Sequence, residues 1–317
     1  MQDRILELPK FFKNKIKREF GKEAGKKWLE SLPEILGKCL KKWNLSKWEI
    51  GQDLSYNLIC FALSPDYGEV VLKIGFPHPD LFTEMTALAL YNGRNICKCY
   101  DQDKELGAML LEKIFPGINL THLEDNEKKV EIASDLITKL YINIDQNYNL
   151  PEYKDWLQRA FKTARKKKIA GKKMFSFISR AEKIYNKLET ANYSEVLLHG
   201  DLHHFNILKD GDQGWKVIDP KGVIGFPFFE CARFMENQLN MVVDTSISES
   251  LQRMIEIFSE KFEVAPGIIA KTLFVDYVLS TCWSFEDNVD PKKLRKELKG
   301  NIEKCQLVLT YIEKLNR

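Results

Sequence analysis

Apolar positions recur along this chain with two different periods, and the change between them marks out the elements. Over residues 5–45 the spacing is helical: Leu29, Leu32, Ile35, Leu36, Cys39 and Leu40 fall at helical intervals, Pro33 stands early in a second helix, and Asn44 and Ser46 end it. From Trp48 to Gly75 the pattern turns to short β-type runs, 57–62 and 69–74, joined by Ser64-Pro65-Asp66-Tyr67-Gly68, which has the chemistry of a hairpin turn. After Pro77 and Pro79, residues 81–92 read as a helix with Met85, Leu88 and Ala89 on one face, and 108–112 as a buried strand. Beyond Phe115-Pro116-Gly117 the character is mainly helical, over 122–142, 152–166, 173–190, 228–243, 247–261 and 266–285. The exception is 195–219, where strand alternates with loop. Pro116-Gly117 is the expected lobe boundary.

This order predicts an α+β chain of two lobes: a helical preface over 1–47, a small β-rich lobe over 48–115, and a larger, mainly helical lobe over 116–317. With 317 residues, 44% of them hydrophobic, the chain can bury one large core or two modest ones, which suits a single two-lobed catalytic unit and excludes a disordered or fibrous protein. Forty-eight Lys and Arg against 45 Asp and Glu leave +3, a balance that does not argue for a nucleic-acid partner. The basic stretch 162–173 contains Arg165, Lys166, Lys167 and Lys168, but the nearby Trp156, Phe161 and Phe175 read as the core side of helices, so a solvated helix face is expected there. Seven scattered cysteines do not make the paired framework of a secreted protein and point to a reducing compartment. Cys97 and Cys99 lack the usual zinc spacing. No apolar run reaches the roughly 18 to 20 residues of a bilayer span, and the N-terminal region lacks a signal-peptide core, so a soluble, cytoplasmic enzyme with no membrane partner is expected.

The informative segment is Leu197-Leu198-His199-Gly200-Asp201-Leu202-His203-His204-Phe205-Asn206-Ile207-Leu208, followed by Trp215-Lys216-Val217-Ile218-Asp219-Pro220. An acid, an amide five residues later on the same loop, and a second acid at the end of the next strand are what metal-assisted phosphoryl transfer requires. Asp201 would accept or orient the proton of the attacking hydroxyl, and Asn206 and Asp219 would hold Mg2+ as hard oxygen ligands. The bland alternative is a turn in which Asp201 and Asn206 merely bond backbone groups, but it leaves unexplained why two apolar strands run into separate acids. His199, His203 and His204 would suit zinc by type. Beside acids suited to magnesium, packing and hydrogen bonding within the loop are the expected roles, with His199 as a structural anchor.

Phosphoryl transfer also needs a cation on the triphosphate of ATP or GTP. Lys73 closes the run Val70-Val71-Leu72-Lys73-Ile74, and Glu84, eleven residues later on the following helix, is the natural partner to orient it. Such a pair alone usually means a surface ion pair; upstream of the loop acids it reads as a nucleotide contact. Neither G-x-x-x-x-G-K-[ST] nor the kinase Gly-rich loop is present. Gly51-Gln52-Asp53-Leu54-Ser55-Tyr56-Asn57 stands in that place, with its backbone and the Ser55 hydroxyl to cover phosphates.

These residues, with Ala24-Gly25-Lys26-Lys27-Trp28-Leu29, Leu32-Pro33, Ala108-Met109-Leu110-Leu111-Glu112-Lys113, Pro116-Gly117 and Ile218-Asp219-Pro220-Lys221-Gly222, make the chain resemble the aminoglycoside and hydroxyurea antibiotic-resistance kinase family over nearly its whole length. The resemblance implies a protein-kinase-like fold and a small-molecule kinase moving the γ-phosphoryl group of ATP or GTP to a hydroxyl of an aminoglycoside or aminocyclitol such as streptomycin. It carries over Asp201 as base, Asn206 and Asp219 as Mg2+ ligands, Lys73 as triphosphate contact, and Leu111, Glu112 and Lys113 as the adenine-binding hinge. Asp219 is followed by Pro220-Lys221 rather than Phe-Gly, which argues against a phosphorylation-switched protein kinase. A polycationic acceptor calls for carboxylates, and Glu230, Glu236, Asp244, Glu286 and Asp287 lie downstream of the loop. A catalytically idle nucleotide-binding module, and a kinase of another amino or sugar alcohol, are the competing readings.

Overall fold

The computed structural model describes residues 6–52, 54–167, 171–191, 193–212, 214–241, 247–285 and 291–315. The chain divides into two compact units, Met1–Gly117 and Ile118–Arg317.

The first unit opens with α1 (Lys10–Glu19) and α2 (Lys22–Lys42), broken at Gly21, whose φ of +89° is left-handed territory open to glycine. Pro33 does not stand near a helix start as expected; it lies inside α2, which runs on through it. A proline there removes one ladder bond at a cost of about 3 kcal/mol. The buried stripe of Trp28, Leu32, Leu36 and Cys39 offsets it, at about 1.5–3 kcal/mol for each large apolar side chain. Five strands follow: β1 (Ser46–Ile50), β2 (Asn57–Ser64), β3 (Gly68–Gly75), then α3 (Pro79–Tyr91), β4 (Cys99–Asp103) and β5 (Ala108–Glu112). They form one antiparallel sheet in the order β1-β2-β3-β5-β4.

In the β2–β3 pair Leu58 faces Ile74, Cys60 faces Leu72 and Ala62 faces Val70, so all six side chains lie on one side of the sheet. They share a single core with Leu8, Phe12, Ile16, Trp28, Leu32 and Leu36. The helical preface is therefore not a separate body, because α1 and α2 supply the surface that buries this face. Lys73, in the alternate phase of β3, points to the other side.

Strand β6 (Pro116–Asn119) spans the division, and the second unit goes on with α4 (Asn126–Leu140), β7 (Ile142–Asn143), α5 (Tyr153–Lys167), α6 (Gly171–Glu189), β8 (Val196–Leu198), β9 (Ile207–Asp210), β10 (Gly214–Val217) and β11 (Val223–Gly225). Helices α7 (Glu230–Met241), α8 (Ile247–Phe262), α9 (Pro266–Trp283) and α10 (Pro291–Leu315) complete it. The strands pair as β10-β9-β6 and β11-β8-β7, holding the segment after β8 between short ladders. Helix α9 packs against α5, α6, α7, α8 and α10 and is mainly apolar all round, as suits a core helix. Helix α10 is an addition to the elements expected from the pattern. The basic stretch behaves as a helix face, with Arg165 bonded through both terminal nitrogens to Glu182 at 2.7 Å and Phe161 buried; Lys168 lies outside the described residues. Among the described residues no helix is long and apolar enough to cross a membrane, and all seven cysteines are free thiols.

Candidate active site

The loop between β8 and β9 is built by backbone necessity. Strand β8 pairs with β11, Leu198 facing Val223, and the chain leaves the pair through Gly200 at φ +78°. A Cβ at that position would stand 2.7 Å from Val223 Cγ1 and 3.0 Å from Trp156 Cη2, so both its conformation and its surroundings demand glycine. His199, fully buried, donates from Nε2 to the Ile218 carbonyl at 2.8 Å and accepts the Asp201 N–H on Nδ1 at 3.2 Å. Those two bonds select one neutral tautomer, and burial pulls the His199 pKa down to about 4.

Asp201 and Asn206 meet directly: the Asn206 amide donates to the Asp201 carbonyl at 3.0 Å. The Asn206 carbonyl in turn accepts the Ile218 N–H at 3.0 Å, which brings Asp219 to the same place. Asp219 has φ +60°, a left-handed conformation that costs a non-glycine residue about 1–3 kcal/mol and persists only where surroundings enforce it. With its amide nitrogen committed to Asp201, Asn206 has its side-chain oxygen left to offer, and that oxygen with the Asp219 carboxylate is a donor set fit for a hard divalent cation. The histidines diverge. His204 is buried, bonded to Gln238 at 2.5 Å and stacked on Phe234 at 4.2 Å, whereas His203 Nε2 lies 3.9 Å from Asp201 Oδ2. No group of three or more His, Cys, Asp or Glu among the described residues is arranged to hold a metal.

Two residues expected near substrate turn out to be engaged elsewhere. Glu230, buried at the start of α7, accepts the His199 N–H at 2.5 Å and the Gly200 N–H at 3.0 Å, so it braces the loop rather than facing a ligand. Glu236, also buried, accepts from Ser280 Oγ at 2.8 Å and from Arg233 Nη1 at 3.1 Å. Burial raises the pKa of both carboxyls. Asp244, Glu286 and Asp287 lie outside the described residues. The sequence reading missed Arg233, which bonds both Glu236 and Asp276, and Tyr153, which bonds Asp276; the available signal was Asp276, an acid standing alone in the apolar run 272–283.

In the first unit Lys73 is paired with Glu84 of α3 at 2.5 Å, both side chains buried. Ser55 is exposed in the loop after β1, beside Tyr56, whose ring carries the Lys15 ammonium at 3.9 Å. At the end of β5 Leu111 is buried, the Glu112 carboxylate accepts the Lys98 N–H at 3.0 Å, and Lys113 pairs with Glu69 at 2.9 Å.

The chain is 23% identical over 319 residues to a streptomycin 6-kinase of Streptomyces glaucescens, covering 94% of this chain and 99% of that one. It is 26% identical over 226 residues to a hydroxyurea phosphotransferase of Kitasatospora aureofaciens, 68% of this chain and 64% of that one. Among solved structures, the choline kinase LicA from Streptococcus pneumoniae superposes with a TM-score of 0.62 at 14% identity, over 86% of this chain and 99% of that chain, and so shares the fold. Residues 59–288 match the family described as aminoglycoside/hydroxyurea antibiotic resistance kinase, and the chain belongs to that family, as a small-molecule phosphotransferase acting on a hydroxyl group.

Proposed function

We propose that this protein transfers the γ-phosphoryl group of ATP or GTP to a hydroxyl of an aminoglycoside or aminocyclitol, with streptomycin the first candidate and Asp201 the base. The observation that carries the reading is the bonded loop, in which Asn206 is tied to Asp201 and, through the Ile218 N–H, to the backbone beside Asp219. The acceptor hydroxyl gives its proton to the Asp201 carboxylate as its oxygen bonds the γ-phosphorus, the bond to the β-phosphate oxygen breaks, and the nucleoside diphosphate leaves. Asn206 and Asp219 are assigned to Mg2+, which when bound offsets phosphate charge. Lys73, held by Glu84, is assigned to the triphosphate, Ser55 to phosphate cover, and Leu111, Glu112 and Lys113 to the nucleotide base. Because Glu112 and Lys113 have their side chains bonded within the unit, their share falls to the backbone.

Relatedness to a streptomycin 6-kinase over 94% of the chain supports the acceptor class. A second reading, a kinase of another amino or sugar alcohol, is favoured by the engagement of Glu230 and Glu236 in internal bonds, since neither carboxylate is left to meet a polycation. The deciding experiment is nucleotide consumption with Mg2+, ATP or GTP and a panel of aminoglycosides and amino alcohols, followed by mass spectrometry for an added phosphate. A phosphorylated streptomycin supports the first reading, a phosphorylated amino alcohol the second, and magnesium-dependent nucleotide binding without any product favours an idle module.

A further inference from the structure

A guanidinium stands beside the base, packed among carboxylates of its own chain. Arg233, on the first turn of α7, donates from Nη1 to Glu236 at 3.1 Å and from Nη2 to Asp276 at 3.4 Å, and its planar group lies over the Trp283 ring at 5.3 Å. Asp276 is itself held by the Tyr153 hydroxyl at 2.5 Å, and Glu236 by Ser280 at 2.8 Å. Trp283 meets Trp156 edge-on at 5.5 Å, and Trp156 is the ring that closes on Gly200, the residue before Asp201.

One donor in this cluster is left over. Arg233 Nε is buried with no hydrogen-bond partner, and it faces Asp201 Oδ1 at 4.0 Å. An unsatisfied buried donor is costly, and an ionic network in the interior is a poor source of stability compared with apolar packing, so retention of this one calls for another reason. Bonds that operate in catalysis are often long in the free enzyme and shorten when the reacting groups assemble. The fork geometry of arginine, clamped by two carboxylates and a ring face, fixes where Nε points; a lysine ammonium on a flexible stem would not.

We propose that Arg233 is a positioning residue for the base: its Nε–H closes on Asp201 Oδ1 when the acceptor binds, leaving the other oxygen to take the hydroxyl proton. This rests on Asp201 being the base. Arg233 is enclosed by Glu236, Asp276 and Trp283, so it acts through Asp201 and not on the ligand.

The test compares wild type, Asp201→Asn, Arg233→Lys, Arg233→Ala and the neutral triple Arg233→Met/Glu236→Gln/Asp276→Asn, which removes the cation without stranding buried charge. Two reactions are followed with Mg2+ and ATP: phosphorylation of streptomycin, and ADP release with water as acceptor. In every Arg233 variant kcat is expected to fall, on the order of 10²-fold without the guanidinium and less with lysine, while the KM values for ATP and streptomycin stay unchanged. Millimolar guanidinium chloride is expected to restore part of kcat in Arg233→Ala and to do nothing for wild type. A neutral triple that is folded by its thermal midpoint and keeps wild-type kcat would overturn the role. So would a rise in KM with kcat intact, which would make Arg233 a ligand contact. If wild type turns over and Asp201→Asn abolishes it, such a result removes the Arg233 role alone; if wild type turns over and Asp201→Asn is unaffected, the base reading falls and this role with it.

Discussion

Glu230 Oε2 accepts the backbone N–H of His199 at 2.5 Å, binding the end of β8 to the start of α7 across 31 residues of sequence. With the Gly200 N–H on its other oxygen, the carboxyl group satisfies two buried donors at once. Glu230→Gln turns an amide NH2 toward one of them and is expected to cost about 1–3 kcal/mol of stability, read from urea unfolding. It should also lower turnover, since the bonds it breaks orient the residue before Asp201.

Burial pushes the Glu230 carboxyl up to about 7 from an ordinary value of 4.5. The folded state therefore keeps a proton that the unfolded chain loses, so this stabilisation is full below 4.5 and is lost as pH rises through about 7, at about 1.4 kcal/mol per unit. His199 and His204, both drawn by burial to about 4 from 6.5, act in the opposite sense: stability is lost as pH falls from 6.5 towards 4. Between 4.5 and 6.5 the two contributions oppose each other. In Glu230→Gln the histidine contribution should stand out, with the thermal midpoint rising more steeply with pH in that window than in wild type; parallel profiles would mean that Glu230 is already ionised when folded.

The two loop acids should separate by kinetics. Asp201→Asn is expected to lower kcat by about 10²–10⁴-fold and to leave nucleotide affinity as it was, because a base acts only in the chemical step. Asp219→Asn retains a residue that tolerates the left-handed conformation at φ +60° but gives up the anionic oxygen. Titration calorimetry should then find nucleotide binding that no longer responds to Mg2+. Unaltered magnesium dependence would remove Asp219 from the metal.

Lys73 and Glu84 form a buried ion pair, a type of contact in which removing one partner costs more than removing both. Lys73→Met is expected to destabilise by about 3–5 kcal/mol and Lys73→Met/Glu84→Met by less, in denaturant unfolding of each variant. Both variants should bind ATP weakly, which separates the stability of the pair from its use on the triphosphate.

Gly200→Ala combines a left-handed φ of +78° with a Cβ 2.7 Å from Val223 Cγ1, and neither problem relaxes without moving β11 or Trp156. The expected result is a protein destabilised by more than the roughly 1 kcal/mol typical of a point substitution, with turnover lost in proportion to the displacement of Asp201.

Chemistry contiguous in the chain was legible before any fold was known. Asp201 and Asn206 lie on one loop five residues apart, so their bond is a local event announced by their spacing. The β2–β3 hairpin was equally plain, since two short β-type runs stand on either side of turn residues. Edge strand β1 carried no such mark, because in the short Ser-Lys-Trp-Glu-Ile only Trp48 and Ile50, both half-buried, lean on the core. Pro33 misled for a related reason: its rule is local, while the burial that lets α2 run through it belongs to the core shared with the sheet.

Period, turn chemistry and the loop acids were thus determined along the chain, where each residue constrains its near neighbours. The partners of Glu230, Arg233 and Asp276 were decided only by tertiary structure. Asp276 receives the Tyr153 hydroxyl across 123 residues and the Arg233 guanidinium across 43, and nothing at those separations fixes which buried acid meets which donor. That choice follows from the packing of α5, α7 and α9, which brings together polar groups most of which pair once they are away from water.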